Sequence, residues 1–195
     1  IHVVRHATQA FANVIKAEGE EAVARGISIA YDCRINSDVF AREAACVMAA
    51  NGIKSLLTES LRPTPELSFM VIKYGTIAGI NITASHNPKE YNGYKVYDEK
   101  GCQLVPKYAS QVIEYVNAIT DLKSVEVDDF ETAVKSGKIV VIGDDVLDAF
   151  LCEVKKQSIY NEKSDLKIVY TPLHGTGNIP VRKSIDGMNV SVVKS

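Results

Sequence analysis

Ser85 is a single hydroxyl that an apolar run, Ile77 to Ile82, delivers onto a tight turn at Asn87-Pro88, with His86 beside it. Ten positions later, after the Asn92-Gly93 pair, the chain places Lys95. Serine is a weak nucleophile unless a neighbour accepts its proton or it already bears the group to be transferred. A hydroxyl at a strand end, with a cation folded back beside it, suits a group that carries phosphate. Serine hydrolysis fits poorly. Neighbours in an extended loop project in different directions, and no G-x-S-x-G elbow surrounds Ser85. The plainer alternative is a serine that only satisfies backbone groups in its turn.

The flanking elements must position that string. Helical spacing of Val4, Ala7, Phe11, Val14 and Ile15 predicts one helix from His2 to about Arg25, stopped by Gly26. Ile27 to Tyr31 reads as a buried strand, and Ser37 as the cap of a helix that closes at Asn51-Gly52. Ile53 to Leu57 reads as a second strand. Thr64 then Pro65 reads as a cap and first turn, opening a helix that ends at Gly75. The strand Ile77 to Ile82 and the serine loop follow. Tyr94 to Tyr97 is then too close in sequence for a crossover helix, so it enters antiparallel. Further helices are expected at Lys107 to Ile119, at Phe130 to Lys135, and after a cap at Asp144 or Asp145. A polar linker, Asn161 to Asp165, precedes a strand from Leu166 to Tyr170, a glycine turn, a helix and the apolar Val190 to Val193. The expected fold class is α/β: a mixed, mostly parallel sheet sandwiched between helices over residues 1–163, with the truncated opening of a second α/β domain over 164–195. Asp32, Ser60 and Ser85 all fall where strands end, the usual place for ligands in such sheets.

Composition narrows the class of partner. The 195 residues are 46% hydrophobic and 24% charged, with a formal charge of −2 and scattered basic residues, so no footprint for nucleic acid or an acidic membrane is expected. The apolar stretches are too short to span a bilayer. No signal peptide is visible, and an opening on Ile1 inside a helix suggests a trimmed chain. Cys33, Cys46, Cys102 and Cys152 form no C-x-x-C pair, which argues against zinc or a redox dithiol and for buried, reduced thiols.

The unbroken run Thr83-Ala84-Ser85-His86-Asn87-Pro88-Lys89-Glu90-Tyr91-Asn92-Gly93-Tyr94-Lys95-Val96 resembles the phosphoserine loop of the α-D-phosphohexomutases, the phosphoglucomutase and phosphomannomutase superfamily. Tyr31-Asp32-Cys33-Arg34 is similar to that family's Y-D-x-R segment, and Pro63-Thr64-Pro65 to its P-T-P helix start. Pro172 to Gly177 resembles a segment opening its second domain. The resemblance implies that Ser85 is phosphorylated in the active enzyme and donates phosphate to a hexose phosphate. The bisphosphate then turns around and returns its other phosphate, so phosphate migrates between the 1- and 6-hydroxyls. It implies Lys95 as general base or acid and His86 as lining the phosphoserine pocket. Asp32, Arg34 and Asn87 become structural supports, and an ion pair with backbone hydrogen bonds is the expected means for the first two. It implies Mg²⁺ bound through the phosphate of Ser85 and three aspartates of a D-G-D-x-D-R loop beyond residue 195. It implies also a glucose 1,6-bisphosphate-type activator, the remaining domains of the same chain as partners, and a cytoplasmic setting. Without those domains the polypeptide is expected to be inactive alone. Phosphopentomutase, or a sugar-phosphate-binding homologue without turnover, are the alternative readings; a nucleotide-binding domain lacks its glycine fingerprint.

Overall fold

The computed structural model describes residues 1–159, 167–185 and 191–194. Its elements are α1 (His2–Ala17), α2 (Glu20–Arg25), β1 (Ile27–Tyr31), α3 (Ser37–Ala50), β2 (Ser55–Thr58), α4 (Thr64–Tyr74), β3 (Ala78–Ile82) and β4 (Tyr94–Tyr97). After these come α5 (Pro106–Ala118), α6 (Phe130–Lys135), β5 (Ile139–Ile142), α7 (Asp144–Lys156), β6 (Lys167–Tyr170), α8 (Asn178–Ile185) and β7 (Ser191–Lys194). They divide into two compact units, Ile1–Ile142 and Gly143–Ser195. The expected linker and the boundary between 163 and 164 lie outside the described residues.

In the first unit five strands form one sheet in the order β4-β3-β1-β2-β5. β1 pairs parallel with β2 and β3, and β2 parallel with β5. β4 is antiparallel to β3, with Ile82 opposite Tyr94 and Asn81 opposite Lys95. The sheet is therefore mixed and mostly parallel, as its short β3–β4 link requires. Side chains alternate across it. Ile27, Ile29, Ile80 and Ile82 join Phe11, Ile15, Ala45 and Met48 in the main core, while Ala30 and Tyr97 face Leu67 of α4 on the other side. Each fully buried Ile or Met contributes about 1.5–3 kcal/mol relative to exposure, and this core fixes the sheet that presents the serine loop. The second unit holds β6 and β7 as a parallel pair, with Lys167 opposite Ser191. In it Lys183 of α8 binds Asp144 and Asp148 of α7 at 3.2 and 2.8 Å.

Several local expectations are corrected. The first segment is two helices, because Gly19 takes φ +105°, a conformation closed to other residues, and breaks the run at α2. The cap of α3 is Asn36, left-handed at φ 65°; Ser37 sits inside the helix and turns its hydroxyl elsewhere. Pro63 is the cap residue of α4, and Thr64 Oγ1 instead accepts a hydrogen bond from Asn81 at 2.8 Å. Gly143, not Asp144 or Asp145, caps α7. β2 starts two residues later than expected, and β5 was not anticipated. Among the cysteines only Cys46 is buried; Cys33, Cys102 and Cys152 are exposed, and none forms a disulfide.

Candidate active site

β1, β2 and β3 run parallel, so their C-terminal ends share one edge of the sheet, and Asp32, Ser60 and Ser85 follow those ends. Antiparallel β4 begins at that same edge, which puts Lys95 at its second position, across the ladder from Asn81. Tyr94 and Val96 pack into the main core, and a strand alternates its faces, so Lys95 projects to the α4 side with Tyr97. Lys95 is half-buried and makes no ion pair or hydrogen bond among the described residues. Burial pushes the Tyr94 phenol well above its usual range, and its oxygen meets Thr8 Oγ1 of α1 at 3.0 Å. The residue beside Lys95 is thereby pinned to the core.

The serine loop leaves β3 at Thr83 and rejoins the ladder at Gly93, where the Thr83 N–H donates to the Gly93 carbonyl at 2.9 Å. A Cβ at position 93 would lie 2.5 Å from the Thr83 carbonyl oxygen, so only glycine closes this base. Ser85 is exposed and takes φ 59°, in the left-handed region that costs a non-glycine residue about 1–2 kcal/mol. Its N–H donates to Thr83 Oγ1 at 3.0 Å, while its own hydroxyl makes no hydrogen bond among the described residues. Asn87 closes the turn, its backbone and side-chain N–H groups both donating to the Ala84 carbonyl at 3.1 and 2.9 Å. His86 and Lys89 are exposed on the same loop.

Arg34 holds the loop from below. Nη1 donates to the carbonyls of Pro88 and Tyr91 at 2.9 and 2.8 Å, and Nη2 to those of Ser85 and Asn87 at 2.9 and 2.6 Å. Its Nε faces Asp32 Oδ2 at 3.4 Å, with both side chains largely shielded from solvent. Four of the five guanidinium N–H groups thus donate to loop carbonyls, and the fifth, on Nε, faces the Asp32 carboxylate as an ion pair. The other oxygen of Asp32 accepts from the Arg34 backbone N–H at 3.0 Å and from Ser37 Oγ at 2.8 Å, and the Asp32 N–H donates to the Ile82 carbonyl at 3.1 Å. Asn92 reaches the same group, its Nδ2 donating to Ser37 Oγ at 2.8 Å.

The geometry brings Ser85, His86, Asn87, Asp32, Arg34 and Lys95 to one edge of the sheet. Ser37 and Asn92 were not expected as site residues: Ser37 accompanies the Y-D-x-R segment but reads as a helix cap, Asn92 reads as a turn former, and nothing in the chain marks them as each other's partners. Arg62 lies just before the first turn of α4. It forms a buried pair with Glu66, Nε to Oε1 at 3.3 Å, and its N–H donates to the Tyr31 carbonyl at 2.9 Å. A cavity of about 430 Å³ lies at the opposite end of the sheet, lined by Phe11, Ile77 and Tyr97 among others, and does not touch the serine loop. No group of three His, Cys, Asp or Glu side chains suited to a metal gathers among the described residues. No helix among them is long and apolar enough to cross a membrane.

Residues 1–123 match the family model described as phosphoglucomutase/phosphomannomutase, alpha/beta/alpha domain I. A phosphoglucomutase of Staphylococcus saprophyticus is 43% identical over 150 residues, covering 77% of this chain and 27% of the relative. A probable phosphomannomutase of Haemophilus influenzae is 37% identical over 187 residues, covering 94% of this chain and 36% of the relative. The chain thus spans roughly a third of the length of these relatives. The crystal structure of a putative phosphomannomutase from Thermus thermophilus superposes with a TM-score of 0.75 over 98% of this chain and 40% of its own, at 21% identity, a likeness of fold. With its serine loop, mixed five-stranded sheet and matched domain model, the chain belongs to the phosphoglucomutase/phosphomannomutase family.

Proposed function

We propose that the protein carrying this chain is a hexose-phosphate mutase in which Ser85 is the phosphate carrier. One observation carries the reading. An exposed hydroxyl sits on left-handed backbone in a loop held by a guanidinium that binds four of its carbonyls, at the same end of the sheet as a half-buried lysine with no carboxylate partner among the described residues. In the forward step the Ser85 Oγ–P bond breaks and a sugar hydroxyl oxygen takes the phosphoryl group. The proton of that hydroxyl goes to a base, to which Lys95 is assigned, the departing Ser85 oxygen takes up a proton to become the free hydroxyl, and both transfers reverse when the phosphate comes back. His86 borders the phosphoserine. Asp32, Arg34 and Asn87 keep the loop in place.

Bringing two phosphates together demands cations. A phosphoserine carries roughly −1.5 to −2 charge, and each unit pair at ~4 Å costs about 4 kcal/mol at an effective dielectric near 20. The Nη donors of Arg34 are spent on loop carbonyls and its Nε faces Asp32, and the Asp32 carboxylate is taken by Ser37 and Arg34. For Mg²⁺, then, this chain would supply a phosphate oxygen on Ser85, the carboxylate ligands coming from outside it. Bound there, the ion would neutralise phosphate charge. Sugar selection and the rest of the cleft are assigned to other parts of the full-length protein, as is the response to a glucose 1,6-bisphosphate-type activator. Exposed cysteines at 33, 102 and 152, none in a disulfide, suit a reducing, cytoplasmic setting.

The test is peptide mapping of the full-length protein after incubation with glucose 1,6-bisphosphate. Phosphate on Ser85, absent from Ser85→Ala, is the expected result. Phosphate on another residue, or on none, refutes the reading.

A further inference from the structure

We infer that Ser37 and Asn92 are positioning residues for phosphoryl transfer at Ser85, acting through a one-way chain of hydrogen bonds that ends on Asp32 and Arg34; this inference rests on the proposed function. The Ser37 side chain is fully buried at the start of α3, and its hydroxyl carries one proton. That proton goes to the Asp32 carboxylate at 2.8 Å, because an ionised carboxylate only accepts. Ser37 must therefore accept at its other contact, Nδ2 of Asn92, also at 2.8 Å. The orientation of the Asn92 amide is fixed independently, since its Oδ1 accepts from the Gly93 N–H at 2.8 Å. Nδ2 is further shared with the Ile35 carbonyl at 3.3 Å.

The chain has one allowed direction: Asn92 amide to Ser37 hydroxyl to Asp32 carboxylate, with Arg34 on the far oxygen of Asp32. Arg34 in turn grips the carbonyls of Ser85, Asn87, Pro88 and Tyr91. Both ends of the serine loop are thereby tied to one buried hydroxyl, the start through Arg34 and the finish through Asn92. A carboxylate held by donors from two sides keeps a single orientation, and so does the guanidinium it faces. Transfer rates are sensitive to such placement; a displacement of ~1 Å can cost about a hundredfold.

The direction of the chain makes a test that simple loop support does not share. Asn92→Asp keeps the acceptor for Gly93 but turns a second anion on Ser37, whose one proton already serves Asp32. Asn92→Ala removes the contact without repulsion. For support of the turn alone, the Asp variant would be the milder of the two. For the chain proposed here it is the more damaging. In the full-length protein, assayed with glucose 1-phosphate and catalytic glucose 1,6-bisphosphate, Asn92→Asp is expected to lower kcat about 30-fold and Asn92→Ala about 5-fold, each with KM within about 3-fold of the parent. Ser37→Ala is expected to resemble Asn92→Asp; should it fail to fold, the two variants at the half-buried position 92 decide alone. The inference is overturned if Asn92→Asp matches or exceeds Asn92→Ala in kcat, or if the losses fall in KM. Peptide mapping of the parent protein separates the two levels. A parent without phosphate on Ser85 overturns the proposed function, whereas a phosphorylated parent with indifferent variants overturns only this chain of bonds.

Discussion

Replacing Arg34 by lysine keeps the charge and removes the fork, and the consequence can be worked from the contacts. Arg34 makes four hydrogen bonds to loop carbonyls between 2.6 and 2.9 Å and faces Asp32 at 3.4 Å. A lysine has three donors on one nitrogen, which cannot span carbonyls from Ser85 to Tyr91 and also meet Asp32. At least two carbonyl bonds and the Asp32 contact are lost. Loop carbonyls released to solvent regain water, so each lost bond counts at about 0.5–1.5 kcal/mol, and the total is about 2–4 kcal/mol. That free energy holds a loop and not the core, whose Ile27, Ile29, Ile80 and Met48 are untouched. Little change in global unfolding is expected beside a large change in loop order. If ordering the loop is required for transfer, 2–4 kcal/mol corresponds to a loss in kcat/KM of about 25- to 700-fold, at ~1.4 kcal/mol per tenfold. The assays are glucose 6-phosphate formation by the full-length protein and hydrogen exchange at the amides of Asn87 and Tyr91, which should accelerate by a similar factor. Full activity in Arg34→Lys, or exchange in the loop no faster than in the parent, would refute the argument that this guanidinium sets the loop.

Three further outcomes follow from local geometry. Ser85→Gly relieves the left-handed strain at φ 59°, so thermal unfolding should rise by a few degrees, for about 1 kcal/mol, while phosphate labelling disappears; an unchanged or lower Tm would contradict the strain. Burial pushes the Cys46 thiol up to about 11, so alkylation at pH 8 should mark Cys33, Cys102 and Cys152 well before Cys46. Because the folded state holds this proton more tightly than the unfolded one, the associated stability is complete below pH ~9 and lost as pH rises toward about 11. Cys46→Ala should flatten the fall in Tm across that window, and an unaltered slope would count against it.

Much of the site was legible because it is local. A β-branched run, one hydroxyl, an Asn-Pro turn and an Asn-Gly return lie within twenty residues, so the antiparallel entry of β4 could be read from spacing, while Ser85 and Lys95 stood out as site residues through the resemblance of the whole run. The strand Ile139–Ile142 could not. Four apolar residues between two helices carry no period of their own, and pairing with β2 makes them a strand. Ser37 has the local signature of a cap, but Asp32 and Asn92, five and 55 positions away, compete for its hydroxyl and win. What the chain determined by itself was which residues meet in the loop, since neighbouring bonds and turn chemistry act at short range. What holds that loop was decided only in three dimensions. The acceptors Arg34 binds are backbone carbonyls, which every residue carries and no side-chain pattern marks, more than fifty residues from the guanidinium that gathers them.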